Sequence, residues 1–367
     1  MVARRLCAGL VEKMREEKMH TGFIRQLLLA CVLLLAFPSV LFAAAEPQEI
    51  RIAVVAMGAG GKQVFVGTPQ LVSQDPVLKA ELDKRHIKLT WVPVATSAVA
   101  SEVNEDFASH NIDFAYYGDL PSVILNASGI STRLVAPGNL GSNVYLVVPP
   151  NSTAHSIQDL KGKRIALNRG RPWEVTFGKL LAANGLSFSD FKVVNLNPQA
   201  GASALAAGSV DAFFTLSDAY TLSDKGVGKI IWSTKQAPND WKMRAELWGS
   251  QDFVSKYPDL TQLLVTADIR AVHWISQQQN RDAYLQDQAR FGYPESVIRR
   301  DADNENVSWK DYWSPLYSPA IGSHYQAVVQ HARSTGLIRN NVDVNNLILP
   351  QFVAAGVKDL GLGTYWN

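Results

Sequence analysis

Asn111–Pro121 reads NIDFAYYGDLP. Ile112, Phe114, Tyr116 and Tyr117 favour the pleated surface of a strand, and Gly118 permits a sharp exit from it. Asp119 is a strong helix N-cap, and Pro121 suits a first helical turn. The stretch predicts a short buried strand, Ile112–Tyr117, that leaves its sheet at the carboxyl end and enters a helix. Open α/β sheets hold ligands at that end. A helix start also offers unpaired N–H groups and partial positive charge to an anion.

The phrase returns about a hundred residues later, as Ser209–Thr215 (SVDAFFT). Ser217 stands six residues after Asp211, as Asp119 stands six after Asp113. Each copy follows a helical stretch, Ser97–Ala108 and Gly201–Ala207. Two copies predict an α/β protein of two similar lobes, each presenting a strand-to-helix turn to a shared cleft.

The amino terminus reads differently. Leu27–Phe37 is almost wholly apolar and continues to Leu41; Arg15, Lys18 and Arg25 precede it and Ala43-Ala44-Ala45 follows. These are the three parts of a secretory signal, residues 1–45, too short for a membrane span. Met14 and Met19 are alternative starts. Of the 367 residues, 322 remain, enough for about two domains; with six Lys/Arg and three Asp/Glu in the leader, they carry 29 basic and 30 acidic side chains. No basic surface argues for nucleic acid. Cys7 and Cys31 both lie in the leader, so the exported chain has no disulfide, cysteine nucleophile or thiolate metal site.

Along the chain, Glu49–Met57 reads as a first strand, followed by Gly58-Ala59-Gly60-Gly61-Lys62, which is either a loop that lets backbone approach a ligand or a flexible turn; it is no phosphate loop. Pro76–Arg85 is a helix and Ile87–Val94 a strand. Thr96 and Ser97 cap a helix, Ala98–Ser109, while standing where a ligand could take the same hydroxyls. Pro137–Asn143 is a crossing to the second lobe. There Asn168–Glu174 (NRGRPWE) is a loop before a helix, Val175–Asn184. Pro238-Asn239-Asp240 and Met243–Trp248 lead back, and Pro258–Gln279 is a long helix. The domains expected are lobe one, residues 46–137 and 245–367, and lobe two, 138–244.

Several stretches together, IKLTWVPVATSAVASEV, NIDFAYYGDLP, DLKGKRIALNRG, VVNLNPQAGASALAAGSVDAF and HARSTGLIRNNVDVNNLI, resemble the periplasmic solute-binding components of ABC transporters in the aliphatic-sulfonate, taurine and nitrate group. The resemblance covers nearly all of the chain after the leader. It implies a type II periplasmic binding protein: two lobes, each a mixed sheet flanked by helices, joined by a two-strand hinge and closing on a small anionic solute, most readily a sulfonate or sulfate ester. It also implies a membrane permease as partner, a periplasmic location, a monomer, and no cofactor, metal or catalytic residue. By position it points to Met57, Gly58, Thr96, Ser97, Tyr117, Gly118 and Asp119 in lobe one. In lobe two it points to Gly170, Arg171, Pro172 and Trp173, and to Thr215–Asp218, including Ser217 and Asp218.

Two places depart from the group. The sulfonate binders carry Ser/Thr where this chain has Arg169-Gly170-Arg171-Pro172-Trp173-Glu174, and Trp-Asp-Pro where it has Leu216-Ser217-Asp218-Ala219. Arg171 suits a two-pronged hydrogen bond to sulfonate, sulfate ester or carboxylate, and Trp173 could stack on an aromatic ring; the alternatives are a solvated Arg and a Trp packed on the hinge. Tyr116 and Tyr117 alternate, one facing the cleft and one the core. Asp119 reads as a cap, because a bare carboxylate would repel an anion. His324 and His331, seven apart, read as a surface pair. The rival function is a periplasmic enzyme on the same fold, acting on a sulfur- or nitrogen-containing small molecule. The desulfinases of this fold use a cysteine, which this chain lacks beyond its leader.

Overall fold

The structure, a computed structural model, describes residues 45–59, 62–303 and 307–366. The expected leader therefore lies outside the described residues except for Ala45, as do Gly60 and Gly61. In lobe one, β1 (Glu49–Ala59) and β2 (Lys62–Phe65) precede α1 (Thr68–Val72) and α2 (Pro76–Lys84). Then β3 (Lys88–Val94), α3 (Val99–Ala108), β4 (Phe114–Gly118), α4 (Asp119–Ala127) and β5 (Thr132–Ala136) follow. Lobe two holds β6 (Tyr145–Val148), β7 (Arg164–Leu167), α5 (Pro172–Ala183), β8 (Lys192–Asn195), α6 (Pro198–Ala206), β9 (Ala212–Thr215), α7 (Asp218–Asp224) and β10 (Lys229–Ser233). The chain returns through β11 (Ala245–Ser250) to α8 (Gln251–Lys256), α9 (Pro258–Ser276), α10 (Arg281–Gln288), α11 (Glu295–Ala302), α12 (Trp309–Tyr312), α13 (Pro319–Ser334) and α14 (Gln351–Asp359).

The two sheets share one plan. The first runs β3-β1-β4-β11-β5, with β2 paired to the far end of β1; the second runs β8-β7-β9-β6-β10. In each, three parallel strands meet one antiparallel strand, β11 or β6, which is the strand arriving from the other lobe. The plan is fixed by a repeated contact. Arg51 on β1 donates its backbone N–H (2.8 Å) and guanidinium to Asp113, and Asp113 N–H returns to Arg51 O at 2.9 Å. Arg164 on β7 does the same with Asp211, at 2.8 Å each way through the backbone. The aspartates of the two echoed phrases therefore set the register of the central parallel pairs, β1·β4 and β7·β9.

Both faces of each sheet are covered. Phe114, Ile52 and Leu247 pack on α9 and α14, while Ala115, Tyr117 and Trp248 pack on α3, α4 and α13. In lobe two, Phe214 and Trp173 lie on one side and Phe213 and Leu205 on the other. The two crossings run side by side, bridged where Ser142 and Met243 exchange backbone hydrogen bonds of 2.8 and 3.1 Å. They approach so closely that a Cβ on Gly138 would stand 2.6 Å from Ala245 O, and one on Gly141 (φ +110°) 2.6 Å from Met243 O. No described helix is long and apolar enough to cross a membrane.

Several local expectations are corrected. Gly58 and Ala59 continue β1, paired with Gln63 and Lys62, instead of opening a loop. Helix α5 begins at Pro172, three residues early, because proline fits the first position behind an extended Arg171 (φ −104°, ψ 154°). Helix α9 ends at Ser276.

Candidate functional site

The first turn is built as the opening stretch suggests, shifted by one residue. Gly118 occupies the N-cap of α4, and Asp119 is the first helical residue. Its buried carboxylate accepts from Leu120 N–H at 2.6 Å, from His324 Nε2 at 2.6 Å and from Arg244 N–H at 3.4 Å. Asp119 thus ties the turn to α13 and to the returning crossing, and its charge is spent on those partners.

The second turn is organised by Glu174, the third residue of α5, which is fully buried (0 % exposed). Its Oε1 accepts from Arg169 Nε at 2.7 Å and its Oε2 from Gly170 N–H at 2.5 Å. His331 Nε2, from α13 of the other lobe, stands 3.6 Å from Oε1, an ion-pair rather than a hydrogen-bond distance. Burial works to raise the pKa of Glu174, yet these contacts outweigh it and hold the carboxyl below its usual range.

Arg171 lies between these groups and pairs with none of them. It is 8 % exposed, its guanidinium lies 5.0 Å over the Trp173 ring, and its Nε has no hydrogen-bond partner among the described residues. Burial alone lowers its pKa, to about 10, with no carboxylate among the described residues to oppose that shift. A buried guanidinium without an anion is costly, so the position is one that an anion would relieve.

The two turns meet. Gly118 sits against the Pro172 ring so closely that an added Cβ would collide with it. Helix α5 continues the contact: Val175 packs into the core of lobe one, and Gly178 lies against the His331 ring, where a Cβ would stand 2.6 Å from Nδ1. On the other side, α11 reaches lobe two through Arg300, paired with Asp224, and Asp301, which accepts from Tyr145 and Asn143.

The other candidates divide. Met57 and Gly58 sit in β1 where it pairs with β2. Thr96 and Ser97 are exposed in the turn after β3; they do not cap α3, whose N-cap is Ala98 without a side-chain bond. Ser217 is the N-cap of α7, also without a side-chain bond. Asp218, half-buried, accepts from Thr215 Oγ1 at 2.7 Å and Leu216 N–H at 3.1 Å through one oxygen, and burial pushes its pKa up to about 6.

Three expectations are overturned. Tyr117 lies in the core against Phe107 and Trp248, and Tyr116 turns to the opposite face to donate to Asp268 at 2.9 Å, so neither faces a cleft. Trp173 is 2 % exposed in the lobe-two core and carries Arg171 instead of offering a face to a ligand. His324 is buried against Asp119 and His331, half-buried, faces Glu174, so the two do not form a surface pair. Glu174 itself, and the Arg-Ile-Ala phrases at Arg51 and Arg164, were not singled out from the sequence. The available signal was an acid three residues after Arg171 and a second repeated phrase beside the first.

The model of the family described as NMT1/THI5 like matches residues 67–281. A solved periplasmic sulfonate-binding protein SsuA of a sulfonate ABC transporter from Methylobacillus flagellatus KT is 52 % identical, with a TM-score of 0.80, covering 87 % of this chain and 96 % of that one. An aliphatic sulfonates-binding protein of Bacillus subtilis (strain 168) is 29 % identical over 170 residues, 43 % of this chain; the match spans half of that relative's length. The desulfurization enzyme DSZB, 17 % identical with a TM-score of 0.61 over 85 % of this chain and 99 % of that one, shares the fold. By the extent of the family match and the identity to a solved relative over most of both chains, this chain belongs to the NMT1/THI5-like family.

Proposed function

We propose that this chain is the solute-capturing component of an ABC import system. It holds a small organic anion, a sulfonate or sulfate ester, between its lobes and hands it to a membrane permease. The observation that carries the reading is the buried guanidinium of Arg171 without an acid, at the start of α5 and beside the contact of Gly118 with Pro172. A guanidinium offers parallel N–H donors that match two oxygens of an acid head, and the amino end of α5 adds its partial positive charge. The name of the 52 % identical relative supports sulfonate as the acid. Its periplasmic description, with the leader expected over residues 1–45, supports a periplasmic location.

The rival, an enzyme on the DSZB fold, needs a nucleophile. Residues 46–367 hold no cysteine, and His324 and His331 face carboxylates rather than hydroxyls. Ligand capture then works by closure: the two crossings flex, the turns meet, and the anion neutralises Arg171.

A melting-temperature screen over alkyl and aryl sulfonates, taurine, sulfate esters and nitrate, with product analysis, tests this reading. Saturating sulfonate is expected to raise the melting temperature by on the order of a few degrees with no product formed. A chain stabilised by no sulfonate or sulfate ester, or one that turns a ligand over, would refute it.

A further inference from the structure

We propose that Glu174 is a positioning residue for the anion site: it takes up the loop's other donors, and through His331 it links that loop to the opposite lobe, so that Arg171 stays uncompensated until ligand arrives. This rests on the anion-capture reading. A carboxylate at the third position of a helix ordinarily turns back to the backbone N–H at the N-cap, which here is that of Arg171. Folded that way it would stand beside Arg171 and compete with any ligand. Instead Glu174 reaches one residue further, to Gly170 N–H, and takes Arg169 as its ion pair. Arg169 is fixed from its other side by the Phe188 ring, 5.1 Å away, and Phe188 in turn lies 5.9 Å from the His331 ring. Loop, helix α5 and α13 are thus one packed cluster with Glu174 at its centre.

The link to His331 crosses the lobe interface. His331 Nε2 stands 3.6 Å from Glu174 Oε1, and Gly178 of α5 lies against the same ring, so the carboxylate sits where α5 meets α13. Neighbouring charged groups have partners of their own: Asp119 pairs with His324, Lys179 on α5 pairs with Asp240, and Asp218 is held by its own turn.

Calorimetric titration of hexane-1-sulfonate and benzenesulfonate tests this, using the wild type, Arg171→Ala, Glu174→Gln, His331→Gln and the double variant Arg171→Ala/Glu174→Gln. The wild type is expected to bind at least one probe, and Arg171→Ala to lose most of that affinity. Glu174→Gln should bind about tenfold more weakly, the loss expected of one charge-assisted contact, and should cost little further in the Arg171→Ala background, because it acts through Arg171. His331→Gln should weaken binding in the same direction and by less. If Glu174→Gln melts lower but binds with wild-type affinity, or weakens binding equally with and without Arg171, its role is structural and the inference fails. If that variant does not fold, wild-type affinity in His331→Gln overturns the inference. Binding by neither probe, or equal binding by Arg171→Ala, overturns the anion-capture reading and this inference with it.

Discussion

Charge placement around Arg171 sets the chemistry of the proposed site. Buried acids close to it are spent on other donors, Asp119 on His324 and Glu174 on Arg169 and Gly170 N–H. The cost of burying this guanidinium is therefore not met by either acid, and in the proposed reading an incoming anion offsets it. Asp268 is the opposite case. It is 1 % exposed, it accepts from the Tyr116 hydroxyl, and burial pushes its pKa up to about 6 from 3.8. A carboxyl whose folded pKa is raised binds its proton more tightly in the folded state. Its contribution is present below about pH 4 and lost as pH rises to about 6, costing roughly 2–3 kcal/mol at neutral pH. Asp268→Asn is expected to gain on the wild type as pH rises from 4 to 7, read by urea unfolding at each pH; a difference that does not change with pH would contradict it. At this scale the sequence was only partly legible. Arg171 stood out as a departure from a Ser/Thr pattern. Which face of the strand Tyr117 takes, and that Trp173 belongs to a core, depend on strand pairing and helix packing that a local reading does not contain.

At the scale of elements the sequence said more. The echo of Asn111–Tyr117 in Ser209–Thr215 marks β4 and β9, the central strands of two sheets with one plan. The aspartates in it close onto Arg51 and Arg164, a local cause for a long-range register. Element ends were less legible, because caps decide them: Gly118 rather than Asp119, and Ala98 rather than Thr96-Ser97. Gly118 is where one element limits another. Its φ of −75° suits any residue, so the need for glycine comes from Pro172 across the interface. Gly118→Ala is expected to leave each sheet intact and the melting temperature within a few degrees. It should weaken sulfonate binding by roughly five- to a hundredfold, the range that an overpacked contact costs. Wild-type affinity in that variant would mean that β4 and α5 need not meet for binding.

For the whole molecule, the proposed closure rests on the contacts that span the lobes. α5 lies on α4 and α13 on one side, α11 on α7 on the other, and paired crossings bearing Gly138 and Gly141 run between. The same chain that makes two sheets of one plan thereby buries Arg171, the cation that the proposed ligand would meet. A crystal structure with the sulfonate that stabilises the protein most is the direct measurement. The account expects the intact acid group against the Arg171 guanidinium, beside the Gly118 and Pro172 turns, with Glu174 still on Arg169 and Gly170. A sulfonate bound away from Arg171, or found there cleaved, would contradict it.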